Sequence, residues 1–174
     1  EYQVLLAIDD SKSMAESRNI HLAYQTLALV AGALTRLEIG DVGICRFGTE
    51  MNMLHDFGST TFTDRHGGQI LSHLRFDQTR TDMYALLEQS MRVLRQARQQ
   101  HTSASAADLW QLEIIISDGV CQDHERLKAL LRRATEERIM LVFVVVDAAG
   151  DVASASANEG QRSSILSMNQ VSYH

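Results

Sequence analysis

The chain has no proline in 174 residues, where average usage of about 5% would place roughly nine. We read that absence as the mark of a piece of a larger protein. Cysteine is scarce too. Cys45 and Cys121 are the two present; they make no disulfide framework, and so argue for a reducing compartment. No apolar run approaches the roughly 20 residues needed to cross a bilayer, and the first residues carry no charged-then-apolar signal segment, so no membrane partner is expected. Positive charge is also in deficit, with 16 basic against 22 acidic residues and a net charge of −6. Contact with nucleic-acid phosphates needs a basic footprint, so direct nucleic-acid binding is excluded as a default. What is present is ordinary for a globular protein: 45% apolar and 22% charged residues, at the length of one domain. Such a chain buries roughly 68–70% of its unfolded surface and needs no staples. Residues 1–174 are therefore read as one domain.

The chain alternates strand-like and helix-like stretches. Val4 to Ile8 (VLLAI) is a continuous apolar run ending in Asp9-Asp10, as suits a strand buried on both faces. From about Asn19 to Leu37, Ile20, Ala23, Leu27, Ala31 and Leu34 recur at helical steps and form one face. Asp41 to Phe47 (DVGICRF) and Met51 to Phe57 read as two strands joined by a turn at Gly48-Thr49. Their close spacing predicts an antiparallel edge hairpin. A short helix is expected from Gly68 to Leu74, and a strong one from Asp82 to about Gln99, with Glu88 four residues before Arg92 in the favourable order. Leu112 to Ile116 (LEIII) is a central strand, Asp123 to Arg138 a helix, and Ile139 to Val146 a fifth strand. Residues 148–162 are rich in Ala, Ser, Gly and Asp without periodicity and read as flexible loop. The expected fold is α/β: a Rossmann-like, doubly wound, mostly parallel sheet with one antiparallel edge strand. A sheet of this kind usually has a sixth strand and a final helix, which are missing from the pattern, although Ser163 to Val171 could begin the approach to that strand.

Three polar groups fall where such sheets bind ligands, outside the carboxyl ends of the strands. They are Asp9-Asp10-Ser11-Lys12-Ser13 after the first strand, Thr79-Arg80-Thr81 before the long helix, and Ser117-Asp118-Gly119 after the fourth strand. Asp9, Ser11, Ser13, Thr79 and Asp118 supply two carboxylates and three hydroxyls. These hard oxygens suit Mg²⁺. On an extended loop, the alternation Asp-x-Ser-x-Ser would point those side chains the same way. A metal held by so few anionic groups stays electron-poor and will accept an Asp or Glu carboxylate from a partner.

At these residues the sequence resembles the von Willebrand factor A domains that carry a metal-ion-dependent adhesion site. Asp9-x-Ser11-x-Ser13, Thr79, and Asp118 in Ser-Asp-Gly match that motif, and the order of strands and helices around them fits over nearly the whole chain. Asp-Asp-Ser-Lys-Ser-Met, Val42 to Thr49 (VGICRFGT) and Glu113 to His124 (EIIISDGVCQDH) narrow the resemblance to the C-terminal domain of the midasin family, giant dynein-like AAA-type ATPases of ribosome assembly. The resemblance implies a docking domain without catalysis of its own. It would grip ubiquitin-like domains of pre-60S assembly factors through a partner Glu that completes the shell of a Mg²⁺ ion, with Mn²⁺ able to replace it. The remainder of the parent ATPase would then pull the factor off, in the nucleus, both nucleolus and nucleoplasm. The metal residues carried over are Asp9, Ser11, Ser13, Thr79 and Asp118. Asp10, Lys12, Thr81 and Ser117 are assigned to the surroundings of the metal or to partner contact. Adhesion-type sites have Gly at the position of Asp10 and often at that of Lys12, so this loop departs from the general pattern.

Plainer roles stand beside these. Asp9 and Ser11 are good helix caps, Thr81 could cap the helix starting at Asp82, and Asp10 with Lys12 could be a solvated pair on the loop. His66 and His73 read as surface residues, Cys45 as buried filler, Cys121 as structural, and Arg92, Arg95 and Arg98 as a solvated stripe. His55, Asp56 and Phe57 end the edge strand, where a partner contact is plausible. The alternatives within the fold are an A domain of another ATPase or of an adhesion protein. The enzyme alternative is a Mg²⁺-dependent hydrolase of the haloacid dehalogenase type. That chemistry needs a second carboxylate where Ser11 stands, and the chain has no phosphate-binding glycine loop and no nucleophile elbow.

Overall fold

The computed structural model describes residues 2–16, 19–37, 41–59, 64–101, 109–119 and 124–146. Cys121, residues 148–162 and Ser163 to Val171 lie outside them. The elements in chain order are β1 (Tyr2–Asp9), α1 (Lys12–Glu16), α2 (Ile20–Arg36), β2 (Asp41–Phe47), β3 (Asn52–His55), α3 (Asp64–His73), α4 (Met83–Gln100), β4 (Trp110–Ser117), α5 (His124–Glu136) and β5 (Ile139–Val145).

Among the described residues the strands form a five-stranded sheet in the order β3-β2-β1-β4-β5. Strand β1 is parallel to β2 and β4, β4 is parallel to β5, and β3 runs antiparallel to β2. The doubly wound α/β architecture with an antiparallel edge is therefore as expected from sequence. The alternation of β1 explains the two layers of core. Val4, Leu6 and Ile8 face one way and pack with Ala23, Leu27 and Leu34 of α2 and Ile70 of α3. Leu5 and Ala7 face the other way, toward Leu86, Leu87, Met91 and Leu94 of α4 and Leu127 and Leu130 of α5. Both faces of β1 are covered, and that is why its sequence is a continuous apolar run rather than an alternating one.

Several expectations about boundaries and surroundings need correction. The segment after Asp10 is not extended: α1 begins at Lys12 and buries Met14 in the core. The short helix α3 starts at Asp64, four residues before the expected Gly68. Thr81 does not cap α4. The cap is Asp82, whose carboxylate accepts from the Ala85 N–H at 2.9 Å. The arginine stripe is not simply solvated: Arg95 Nε donates to Glu137 at 3.1 Å and Arg98 Nη1 to the Glu137 carbonyl at 2.7 Å, tying α4 to the end of α5. Residues 55–57 do not lie near the metal motif. Because β3 is antiparallel, His55 pairs with Ile44, and the Gly58 N–H reaches Asp41 at the start of β2 at 3.0 Å. That is the opposite end of the sheet.

Candidate metal centre

Strand order reverses between β2 and β4, which lie on either side of β1. The crevice outside the carboxyl ends of β1 and β4 is thus the switch point of the sheet. Asp9 is the last residue of β1 and Ser117 the last of β4, so both polar groups are delivered there by the most deeply buried strands.

The Asp9 carboxylate is fully buried. Its Oδ1 accepts the Ser11 N–H at 3.0 Å, the turn that starts α1. Its Oδ2 accepts the Ser117 hydroxyl at 2.6 Å and lies 3.5 Å from the Thr81 hydroxyl. The Ser11 and Ser13 hydroxyls are 2.9 Å apart. The turn into α1, rather than an extended loop, thus brings these two hydroxyls together. Asp118 follows Ser117 and is half-buried, and its Oδ1 is buried without a hydrogen-bond partner. Gly119 then turns the chain with a φ of 87°, a left-handed conformation that glycine adopts without penalty.

Burial pushes the Asp9 carboxyl up to about 6, hydrogen bonds from Ser11 and Ser117 pull it back, and the negative charge of Asp118 adds to the rise. Two carboxylates in one crevice, one of them with an orphaned buried oxygen, are short of positive charge. The donor set of Asp9, Asp118 and the Ser11 and Ser13 hydroxyls is made of hard oxygens and fits a small divalent cation. Among the described residues no cluster of three or more His, Cys, Asp or Glu side chains is placed to hold a metal. A cation here would therefore depend on two carboxylates and neutral hydroxyls.

The remaining sequence candidates are placed as follows. Thr79 is exposed, one residue after Gln78, and the threonine whose hydroxyl reaches Asp9 is Thr81. Lys12 is exposed at the start of α1. Asp10 is neither exposed nor placed to meet a partner: it is fully buried and its Oδ2 pairs with Arg46 at 3.1 Å. Arg46 went unnoticed in the sequence. A basic residue set among apolar ones near the end of the strand DVGICRF was the available signal. His55, His66 and His73 line a separate cavity of about 310 Å³ between β3 and α3.

The fold is that of the von Willebrand factor A domains. No family model matches the chain. In sequence the chain is similar to midasin: it is 34% identical to midasin of Dictyostelium discoideum over 175 residues, covering 100% of this chain. It is 28% identical to midasin of Giardia intestinalis over 146 residues, covering 84% of this chain. The chain spans 3% of the length of each. Three solved structures share the fold. An aerotolerance-related membrane protein of Bacteroides fragilis superposes with a TM-score of 0.65 at 14% identity, covering 92% of this chain and 78% of that one. Manganese-loaded TRAP protein of Plasmodium vivax gives 0.60 at 18% identity, covering 85% and 58%. Proximal thread matrix protein 1 of the mussel byssus, with a zinc-occupied MIDAS motif, gives 0.59 at 12% identity, covering 83% and 39%.

Proposed function

We propose that this domain is a divalent-metal-dependent protein-docking module of a midasin-type ATPase. The observation that carries the reading is the pairing of Asp9 and Asp118 at the switch point, with a buried, unpartnered Asp118 Oδ1. The residues that would hold the metal are Asp9, Ser11, Ser13, Thr79 and Asp118. Bound there, Mg²⁺ or Mn²⁺ would supply an electrophilic position for an external carboxylate. Asp9 holds the base of the site through Ser11, Ser117 and Thr81, and the Ser11 and Ser13 hydroxyls, 2.9 Å apart, are neutral donors, so the protein adds little negative charge to repel a partner's carboxylate. Two findings support the choice of cation and parent: the fold neighbours that carry zinc or manganese, and the similarity to midasin over the whole chain. The partner we assign is a ubiquitin-like domain of a pre-60S ribosome assembly factor, presenting a Glu. The parent motor would remove that factor from the particle in the nucleus. The domain itself performs no catalysis.

Calorimetric titration with such a ubiquitin-like domain, in Mg²⁺ and again in EDTA, tests the reading. Binding is expected in Mg²⁺ alone and is expected to weaken when the partner's Glu is shortened to Asp. Binding that survives EDTA unchanged would sink the metal bridge.

A further inference from the structure

We infer that Asp10 is a positioning residue of this metal centre: paired with Arg46, it builds the loop that follows α3, which bears Thr79 and carries Thr81 into place beside Asp9. The inference rests on the metal-centre reading above.

Asp10 follows Asp9 directly, and its carboxylate points away from the crevice and is fully buried. Its Oδ1 accepts two backbone N–H groups from the segment after α3, Arg75 at 2.8 Å and Phe76 at 2.6 Å. Its Oδ2 takes Arg46 Nη1 at 3.1 Å, and the same Nη1 donates to the His73 carbonyl at 3.0 Å. The Asp10 carboxylate, just past β1, and the Arg46 guanidinium of the adjacent parallel strand β2 therefore grip three backbone groups within residues 73–76 at the exit of α3. A carboxylate accepting this many donors is the strong, geometry-fixing kind of hydrogen bonding.

The backbone beyond the grip is laid along β1's exit. The Gln78 N–H meets the Asp10 carbonyl at 3.3 Å, and the Lys12 N–H meets the Gln78 carbonyl at 2.8 Å. The Asp82 N–H then bonds the Gly48 carbonyl at 2.9 Å. Gly48 allows this approach, since a Cβ there would come within 2.7 Å of the Gln78 side chain. Thr79 and Thr81 thus lie on a segment fixed at both ends, by Gln78 and by Asp82.

Phe76 marks where the grip acts. Its φ is 52°, a left-handed conformation that is an outlier for a bulky side chain. The conformation turns its N–H toward Asp10 while its ring enters the core edge-on to Tyr24 of α2, with centroids 5.8 Å apart. Strain of this sort persists where the surroundings over-determine it, and here the determinants are the Asp10 carboxylate on one side and the core on the other.

The test compares the 174-residue chain with its Asp10→Asn, Arg46→Lys, Asp9→Ala and Leu34→Ala variants. Mn²⁺ affinity is measured by calorimetry, and amide hydrogen exchange is measured without metal. Asn can no longer accept from two amides and a guanidinium together, and Lys, one bond shorter, brings its ammonium less closely to both Asp10 and the His73 carbonyl. We expect Asp10→Asn to lose about tenfold or more in Mn²⁺ affinity, as for other residues that orient ligands from outside the shell. Exchange in the metal-free protein should quicken over residues 75–82 while β1 stays protected. Arg46→Lys should show both effects to a smaller degree and carries the test if Asp10→Asn does not fold. Leu34→Ala loosens the core under α2 and should move neither readout. Wild-type Mn²⁺ affinity and unchanged exchange in the folded clasp variants would overturn the proposal alone. A wild-type chain that binds Mn²⁺ no better than Asp9→Ala would overturn the metal reading itself, and the proposal with it.

Discussion

The Ser117 hydroxyl donates to Asp9 Oδ2 at 2.6 Å, closing a contact between residues 108 apart in sequence. The bond joins the carboxyl ends of two parallel neighbours in the sheet, and it sets the orientation of the carboxylate at the base of the candidate metal centre. The Thr81 hydroxyl stands farther from the same oxygen, at 3.5 Å.

Removal of the two partners should therefore be graded. Asp9→Ala is expected to abolish Mn²⁺ binding while the circular dichroism spectrum stays native. Ser117→Ala leaves the carboxylate in place but less well held. A lost hydrogen bond to a charged group is worth roughly 1.5–3 kcal/mol at most, so affinity should fall about tenfold rather than vanish. Asp9 also loses a donor that favours its charged form, so its carboxyl should titrate higher still, and the loss should be larger at pH 6 than at pH 7.5. Equal affinity of Ser117→Ala and wild type at both pH values would show that the bond does not orient a ligand.

The two threonines make a second contrast. Thr79→Ala should weaken metal-dependent partner binding more than Thr81→Ala does. Thr79 is the residue that matches the adhesion-site motif, whereas Thr81 touches Asp9 at the limit of a hydrogen bond. The measurement is calorimetric titration of both variants in Mn²⁺. The reverse order would make Thr81 the ligand and Thr79 a loop residue.

Glu113 provides a prediction outside the metal centre. It sits on β4 facing α4, fully buried; Ser90 donates to its Oε2 at 2.9 Å, and its Oε1 has no partner. Burial raises its carboxyl from 4.5 to about 8, and the Ser90 hydrogen bond only partly opposes the rise. The folded chain thus holds a proton that the unfolded chain releases above pH 4.5. The stability associated with that proton is full below 4.5 and is lost as pH rises toward 8. At pH 7 the cost is about 3 kcal/mol, at roughly 1.4 kcal/mol per unit. Glu113→Gln should match wild type near pH 4.5 and exceed it increasingly toward pH 8 in chemical denaturation. Parallel pH profiles for the two proteins would disprove the buried proton.

Much of this architecture is legible in the sequence. The five strands follow from short apolar runs, the four long or medium helices from the 3.6-residue period and the antiparallel edge from the close spacing of two strands, all of them local signals that survive in the sequence as written. Asp9, Ser11, Ser117 and Asp118 were legible because strand ends in a doubly wound sheet are predictable places for chemistry. The place of Asp10 was not. A carboxylate beside a loop looks the same on paper whether it meets water or two amides from a segment 65 residues away and a guanidinium from the neighbouring strand.

The sequence by itself determined which stretches are buried on both faces, and hence that the chain is a layered α/β domain with its oxygen-rich groups at the strand ends. The tertiary structure decided which of those groups meet. The strand order 3-2-1-4-5 brings Ser117 onto Asp9, the β1–β2 register sets Arg46 within reach of Asp10, and the reversed course of β3 carries the chain after His55 to the far end of the sheet at Asp41. The reason is physical. Burial and helical period are summed over neighbours along the chain, but a hydrogen bond between distant residues depends on topology and register, which a one-residue slip or one reversed strand would change entirely.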